Sequence, residues 1–201
     1  MRQCGFYGKL PARGDFVRSG LTGPFIPAWD DWTQAVLVGS RSIMGDAWLA
    51  AWLEAPVWRF ALPAGMLVPA TVAGLFMPSV DRAGRFFPLC FAALRMNGTA
   101  GALADDVAEW LARAEAAGRA ALAEDLTPEA VADRLAQPAS APLTAGPLAP
   151  PVAALDCGLW WTEGSPRVPP GALILPVLPD AERFAGMLDA EFAPTGSGVS
   201  G

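Results

Sequence analysis

The 201-residue sequence contains no histidine, and this absence excludes more chemistry than any other feature of its composition. Histidine is the base in Ser-His-Asp and Cys-His catalysis and the commonest metal ligand in proteins. The three cysteines, Cys4, Cys90 and Cys157, lie far apart and form no C-x-x-C pair. They indicate neither a disulfide framework nor a zinc site, and they suit a reducing compartment.

The chain is also poor in charged residues, and cations are fewer than acids. Charged residues make up 17% of the chain, and 14 scattered cations are outnumbered by 20 acids, which gives a net charge of -6. Because affinity for polyanions comes from clustered Lys and Arg, we expect neither nucleic acid nor an anionic membrane as a partner. The hydrophobic fraction of 53% suffices for a folded core, and the length suits one domain with elaborations.

The sequence shows no pattern typical of a targeting or membrane-spanning segment. No apolar stretch follows Arg2 as a signal peptide would require, so we expect a cytoplasmic protein without membrane insertion. Residues 60–80 form a run of 21 residues without a charge, which is long enough to cross a bilayer. Pro63, Pro69 and Pro78 divide this run, however, so we predict β-strands there instead.

Strand and helix patterns follow one another along the chain. Short apolar and aromatic runs predict strands near residues 3–8, 57–63, 71–79, 85–95, 157–162 and 171–178. Apolar residues three and four positions apart predict helices over 25–44, 48–53 and 101–123, and Thr127 and Asp180 are placed to cap two more. The strands between residues 57 and 95 are predicted to form an antiparallel meander. Together these elements predict a sheet of at least five strands covered by helices.

A proline-rich segment interrupts the second half of the chain. Residues 137–151 contain five prolines and no charge, which predicts a stiff, semi-extended connector inside the domain. Residues 1–192 are therefore predicted to form a single domain, and residues 193–201 a disordered tail.

The eight tryptophans are explained mostly by packing. Six of them occupy core-facing positions of the predicted elements: Trp29, Trp32, Trp48, Trp52, Trp58 and Trp110. Trp160 and Trp161 are neighbours on one predicted strand, where successive side chains point to opposite faces. One of these two must face a helix layer, a partner or solvent.

Two loops carry the conspicuous charges of the apolar N-terminal half. The stretch "GKLPARGD" contributes Lys9, Arg13 and Asp15, and "PSVDRAGR" contributes Asp81, Arg82 and Arg85. The first stretch lacks the G-x-x-x-x-G-K-[ST] order of a phosphate-binding loop, and Ser79 in the second has no base to activate it. We therefore predict no catalytic, cofactor-binding or metal-binding residues.

Two interpretations of these charged residues stay open. In one, the charges stabilise a single loop geometry, with Asp81 bonding turn amides and pairing with Arg85 or Arg13. In the other, they form a surface that a partner protein binds. Both interpretations predict that the loops meet, with at least one ion pair among Arg13, Asp15, Asp81 and Arg85.

Several consecutive segments resemble one known family. In chain order they are "GFYGKLPARGDFVRSGL", "PAWDDWTQAVLVGSR", "WRFAL", "GLFMPSVDRAGRFFPL", "LWWTEGS" and "FAGML". From residue 5 to about residue 188, this series resembles the TagF family of proteins associated with type VI secretion.

The resemblance implies a fold and a function. The expected fold is an α/β three-layer sandwich with a central mixed, largely antiparallel sheet covered by helices. The expected function is non-enzymatic: post-translational repression of the secretion apparatus from the cytoplasm, without a cofactor. The implied partner is a cytoplasmic component of the apparatus, such as its forkhead-associated scaffold protein.

Two further functions stay open at this point. One is a nucleotide or small-anion binding module, in which Lys9 and Arg13 would face the anion. The other is a structural accessory component of the secretion machine. Under the repressor hypothesis, alanine at Arg13 or Asp81 is expected to weaken repression, chiefly by lowering stability rather than by removing an interface contact.

Overall fold

The computed structural model describes residues 2–137 and 156–195. The predicted proline-rich connector, apart from Gln137, and the last six residues of the predicted tail lie outside the described residues. The division into one domain of residues 1–192 and a disordered tail therefore stays a prediction.

A seven-stranded sheet forms the centre of the molecule. Its strands are Arg2–Gly8 (β1), Val17–Ser19 (β2), Trp58–Leu62 (β3), Thr71–Met77 (β4), Leu89–Arg95 (β5), Gly158–Thr162 (β6) and Gly171–Leu175 (β7). Their order across the sheet is β2-β1-β5-β4-β3-β6-β7, so the predicted meander of β3, β4 and β5 is confirmed. All pairings between the described strands are antiparallel, so this part of the chain lacks the parallel pairing that a mixed sheet implies.

The strand predictions differ most from the structure at three places, and at one of them the predicted strand 171–178 ends already at Leu175. The predicted strand 85–95 begins only at Leu89, because the chain before it forms a turn closed by a bridge between Val80 and Phe86. β2 is not among the predicted strands. It pairs with the end of β1, where Arg18 lies opposite Tyr7, and three residues are too few to show an alternating pattern.

Helices cover both faces of this sheet. They are Phe25–Met44 (α1), Trp48–Glu54 (α2), Ala100–Asp106 (α3), Ala108–Ala123 (α4), Pro128–Ala136 (α5) and Ala181–Leu188 (α6). The predicted caps are present, since the side chains of Thr127 and Asp180 accept hydrogen bonds from backbone amides at the starts of α5 and α6. The prediction of one helix over 101–123 is wrong: Val107, at φ -113° and ψ 8°, separates α3 from α4 while its side chain stays buried.

The molecule has two hydrophobic cores, one on each face of the sheet. α1, α2 and α6 pack on one face, and α3, α4 and α5 pack on the other. Trp160 points into the first core and Trp161 into the second. Of the three surroundings open to one of these tryptophans, the structure shows a helix layer. This arrangement confirms the α/β three-layer sandwich.

The long uncharged run is part of this sheet. Residues 60–80 contribute most of β3, the connection after it and all of β4. No helix among the described residues combines the length and the apolar character that crossing a bilayer requires.

Candidate functional site

The two charged loops meet at one end of the sheet. We call residues 9–16, between β1 and β2, the first loop, and residues 78–88, between β4 and β5, the second loop. The backbone amide of Arg82 donates to the carbonyl oxygen of Arg13 at 3.0 Å. The hydroxyl of Ser79 donates to the carbonyl oxygen of Lys9 at 2.7 Å. The loops are therefore joined through their backbones as well as through their charges.

Glycine at two positions allows the loops to take this shape. Gly8 ends β1 with φ +146°, and a Cβ atom there would lie 2.1 Å from the carbonyl oxygen of Pro88. The end of β1 and the segment before β5 can approach this closely because Gly8 has no side chain to separate them. In the second loop, Gly84 has φ +79° and donates its amide to the carbonyl oxygen of Asp81 at 2.9 Å, which closes the turn.

The carboxylate of Asp81 is the centre of the site and is fully buried. One oxygen accepts from the backbone amides of Ala83 and Arg85, each at 2.9 Å. The other accepts from Nε of Arg85 at 2.7 Å and from Nζ of Lys9. Burial alone would raise the pKa of Asp81, but the hydrogen bonds from Lys9, Arg85 and the turn amides outweigh it and hold the pKa well below its usual range.

Lys9 is the one lysine in the sequence and is nearly as buried, with 5% of its surface exposed. Besides its pair with Asp81, its ammonium lies 4.5 Å from the ring centroid of Phe16, within the range of a cation–π contact. The Phe16 ring in turn stacks on Tyr7 at 5.3 Å and meets the ring of Phe87 edge-on at 4.8 Å. Lys9 is therefore enclosed by its partners and does not face an external anion.

The remaining charged residues lie at the rim of the site. The side chains of Arg13 and Glu129 form an exposed ion pair at 3.6 Å, while Asp15 makes no hydrogen bond or ion pair with any described residue. Arg82 contributes its backbone to the contact between the loops and projects its side chain into solvent, again without a partner among the described residues. Arg85 belongs both to the buried centre and to the exposed rim, since its guanidinium bonds Asp81 and also donates to the carbonyl oxygen of Gly14.

The structure thus unites half of the predicted set. Lys9, Asp81 and Arg85 form one network, whereas the side chains of Arg13, Asp15 and Arg82 do not enter it. The expectation that alanine at Arg13 lowers stability is therefore revised, because a side chain that is 52% exposed and paired at 3.6 Å contributes little. The structural expectation is retained for Asp81.

Sequence reasoning did not single out two residues that shape the site, Gly8 and Phe16. A glycine at the end of a strand is a signal for an unusual backbone conformation, although the sequence does not say which chain approaches it. Phe16 is 44% exposed, and an aromatic residue directly after a charged loop gives no period that would place it.

Other possible site types find little support among the described residues. No group of three or more His, Cys, Asp or Glu side chains in residues 2–137 and 156–195 is arranged to hold a metal ion. A cavity of about 110 Å³ lies between β7 and α6, lined by Trp58, Pro169, Pro170 and other mainly apolar residues, away from both charged loops. The joined loops therefore remain the candidate site.

Acidification is expected to destabilise the protein through Asp81. The pKa of this carboxyl is lower in the folded chain than its usual value of 3.8, so as the pH falls the unfolded chain binds the proton first. The contribution of Asp81 is therefore complete above about pH 4 and decreases below it. Urea unfolding between about pH 5 and pH 3 should show a steeper loss of stability for the natural chain than for Asp81→Asn; equal slopes would contradict this assignment.

Comparisons with known proteins agree with this architecture. Residues 5–137 match the family described as the TagF N-terminal domain, type VI secretion system-associated. The crystal structure of PA0076 from Pseudomonas aeruginosa PAO1 is similar to this chain, with 33% identity and a TM-score of 0.78, over 93% of this chain and 94% of that one. No curated protein matches the sequence. The chain belongs to the TagF family of type VI secretion-associated proteins.

Proposed function

We propose that this protein is a cytoplasmic, non-enzymatic repressor of type VI secretion that acts by binding a component of the apparatus, such as its forkhead-associated scaffold protein. Membership of a family associated with this secretion system supports the biological setting. The observation that carries a binding role is the rigid junction of the two loops, where one buried carboxylate accepts four hydrogen bonds. Such a junction fixes the backbone positions from which the surrounding exposed side chains project, which lowers the entropy lost on binding.

The state of the titratable groups at this site supports binding rather than catalysis. A general base or nucleophile needs an unoccupied lone pair directed at a substrate. The oxygens of Asp81 are occupied by four donors, and the ammonium of Lys9 is enclosed by Asp81 and Phe16. The sequence also contains no histidine, which is the side chain that most often acts as a general base near neutral pH.

The geometry does not support the alternative of an anion-binding module, because Lys9 is already paired with Asp81. It requires Lys9 and Arg13 to face one ligand, but Lys9 is directed at the buried Asp81 while the Arg13 side chain lies in solvent beside Glu129. No specific observation favours the alternative of a structural accessory component.

The repressor proposal predicts a dependence of secretion on protein level. Deleting the gene should increase the release of type VI effectors, and overproducing the protein should suppress it. A stoichiometric repressor acts by occupying its target, so suppression should saturate when the protein reaches about the abundance of its partner. Effector release into the medium, measured against a graded series of expression levels, tests this.

A strain whose apparatus is assembled and able to fire is the required background. A sheath-deficient strain serves as the control, because release in it must be independent of the repressor. Unchanged effector release on both deletion and overproduction in the firing strain would contradict the proposal.

A further inference from the structure

The charge of the two loops is opposite in sign to that of the rest of the protein. The first and second loops together contain four cations and two acids, a net charge of +2, while the remaining residues carry a net charge of -8. Because the buried carboxylate of Asp81 neutralises one cation inside the junction, the outward-facing positive charge comes from three arginines, which outnumber the one exposed acid of the loops, Asp15. We call the exposed side chains of Arg13, Arg82 and Arg85 the arginine rim.

The arginine rim has unused hydrogen-bonding capacity. Arg82 makes no side-chain hydrogen bond or ion pair with the described residues, and Arg13 has one exposed contact at 3.6 Å. Arg85 is 60% exposed although its Nε is held by Asp81. A guanidinium carries five N–H donors in a planar fork that suits carboxylates, so donors on all three residues are available to an approaching acid.

The rim is held in place by the junction and lies beside an apolar contact point. The carbonyl oxygen of Arg13 accepts from the amide of Arg82, which sets the two side chains at adjacent backbone positions. Asp81 is shared by Arg85 and Lys9, and Lys9 contacts the ring of Phe16. The exposed part of Phe16 is therefore connected to the rim through three consecutive contacts. Aromatic and arginine side chains are enriched in the energetic centres of interfaces.

We propose that the arginine rim and Phe16 bind an acidic segment of a partner protein, one that places an apolar side chain against Phe16 beside its carboxylates. This inference deepens the proposed function and rests on it, since it assigns the surface through which the repressor recognises its target. The positive rim would attract and orient such a segment, and the net charge of -8 elsewhere would repel it from other faces. The same negative remainder disfavours extended polyanions such as DNA or an anionic lipid surface, which would cover more than these loops.

Photo-crosslinking in cells tests this surface. A benzoylphenylalanine in place of Phe16 keeps an aromatic ring at the rim, and the same group in place of Val38, which is 71% exposed on α1, provides the control. The protein segment crosslinked from position 16 and not from position 38 is mapped by mass spectrometry. We expect an excess of Asp and Glu in that segment.

Charge reversal then tests the role of arginine. Arg82→Glu should reduce crosslinking from position 16 roughly tenfold. Arg119→Glu, on the 62% exposed Arg119 of α4, changes the net charge equally and should reduce crosslinking less than twofold. Melting temperatures of both variants separate a lost contact from a lost fold. Replacing acids of the mapped segment with lysine should restore crosslinking to Arg82→Glu and not to the natural chain.

Several results would overturn the inference. These are a mapped segment without excess acid, crosslinking no stronger than from position 38, attachment to nucleic acid or lipid, or equal losses for the two reversals. Normal repression by a folded Arg82→Glu, Arg13→Glu double variant would also overturn it and leave the repressor proposal standing. If the acidic segment is mapped and rescued by charge exchange while deletion leaves secretion unchanged, the surface is supported and the repressor proposal fails.

Discussion

Replacing Asp81 with asparagine is expected to lower the free energy of unfolding by about 3–5 kcal/mol and the melting temperature by about 10 °C. Asparagine has nearly the same shape and keeps an oxygen that accepts from the amides of Ala83 and Arg85. It leaves the buried ammonium of Lys9 without an opposite charge, and an uncompensated charge in the interior is costly. Thermal and urea unfolding measure the loss.

The matched control for this variant is Asp15→Asn in the first loop. Asp15 is exposed and makes no hydrogen bond or ion pair with the described residues, so this variant should change stability by less than about 0.5 kcal/mol. Similar losses for the two variants would show that the general loss of negative charge, and not the buried pair, is responsible.

A second substitution identifies the source of the cost. Adding Lys9→Met to Asp81→Asn removes the unpaired charge and keeps an unbranched side chain against Phe16, so much of the lost stability should return. Because Lys9 carries the one side-chain amine in the sequence, its labelling by an amine reagent, mapped by mass spectrometry to the peptide that contains Lys9, reports on the junction. That reaction should be slow in the natural chain and faster in Asp81→Asn.

The sequence patterns predict the layers of this fold because the buried strands are short apolar runs and the helices have a clear 3.6-residue period. The strands of the sheet are short runs of mostly buried apolar residues, and α1 carries buried residues such as Phe25, Trp29 and Val36, successively four and seven positions apart. The helix break at Val107 is not visible in this way, since Val107 keeps its place on the apolar stripe while its backbone leaves helical geometry. β2 escapes prediction because pairing with β1, and not its own composition, makes it a strand.

The site is only half predictable for a different reason. Unlike charges in two loops indicate pairing, and the pair between Asp81 and Arg85 is local, four residues apart in one turn. The partnership of Lys9 with Asp81 spans 72 residues, so it depends on how β1 and β4 are placed on either side of β5. No local pattern contains that information. The sequence consequently left Lys9 available to an external anion, whereas the fold encloses it.

The structural role and the proposed partner-binding role belong to different residues of the charged loops. Lys9 and Asp81 are buried and stabilise the junction. The side chains of Arg13 and Arg82 are exposed and make no contact within it. Substitutions at the first pair should therefore change stability and repression together. Substitutions at the second pair should change repression alone, and this contrast separates folding from recognition in one set of secretion assays.

The junction should also fail when the backbone contact behind it is blocked, and Gly8→Ala is expected to have this effect. A methyl group at position 8 would lie 2.1 Å from the carbonyl oxygen of Pro88 and 2.9 Å from Cα of Leu89, and neither backbone atom can move without disturbing β5. The φ of +146° is also strained for any residue with a Cβ. We expect a loss of more than about 3 kcal/mol in unfolding free energy.

Gly14→Ala in the same loop makes a close control for Gly8→Ala. A Cβ at position 14 meets no atom within 4 Å, and the backbone there has no positive φ, so this variant should be neutral or stabilised by up to about 1 kcal/mol. Urea unfolding of both variants, together with the amine reactivity of Lys9, separates the two cases. Because Gly8 directly precedes Lys9, the alanine variant should expose the lysine as well as lower the stability. Equal stability of the two variants, or a protected Lys9 in Gly8→Ala, would show that the approach of β1 to Pro88 does not hold the charged loops together.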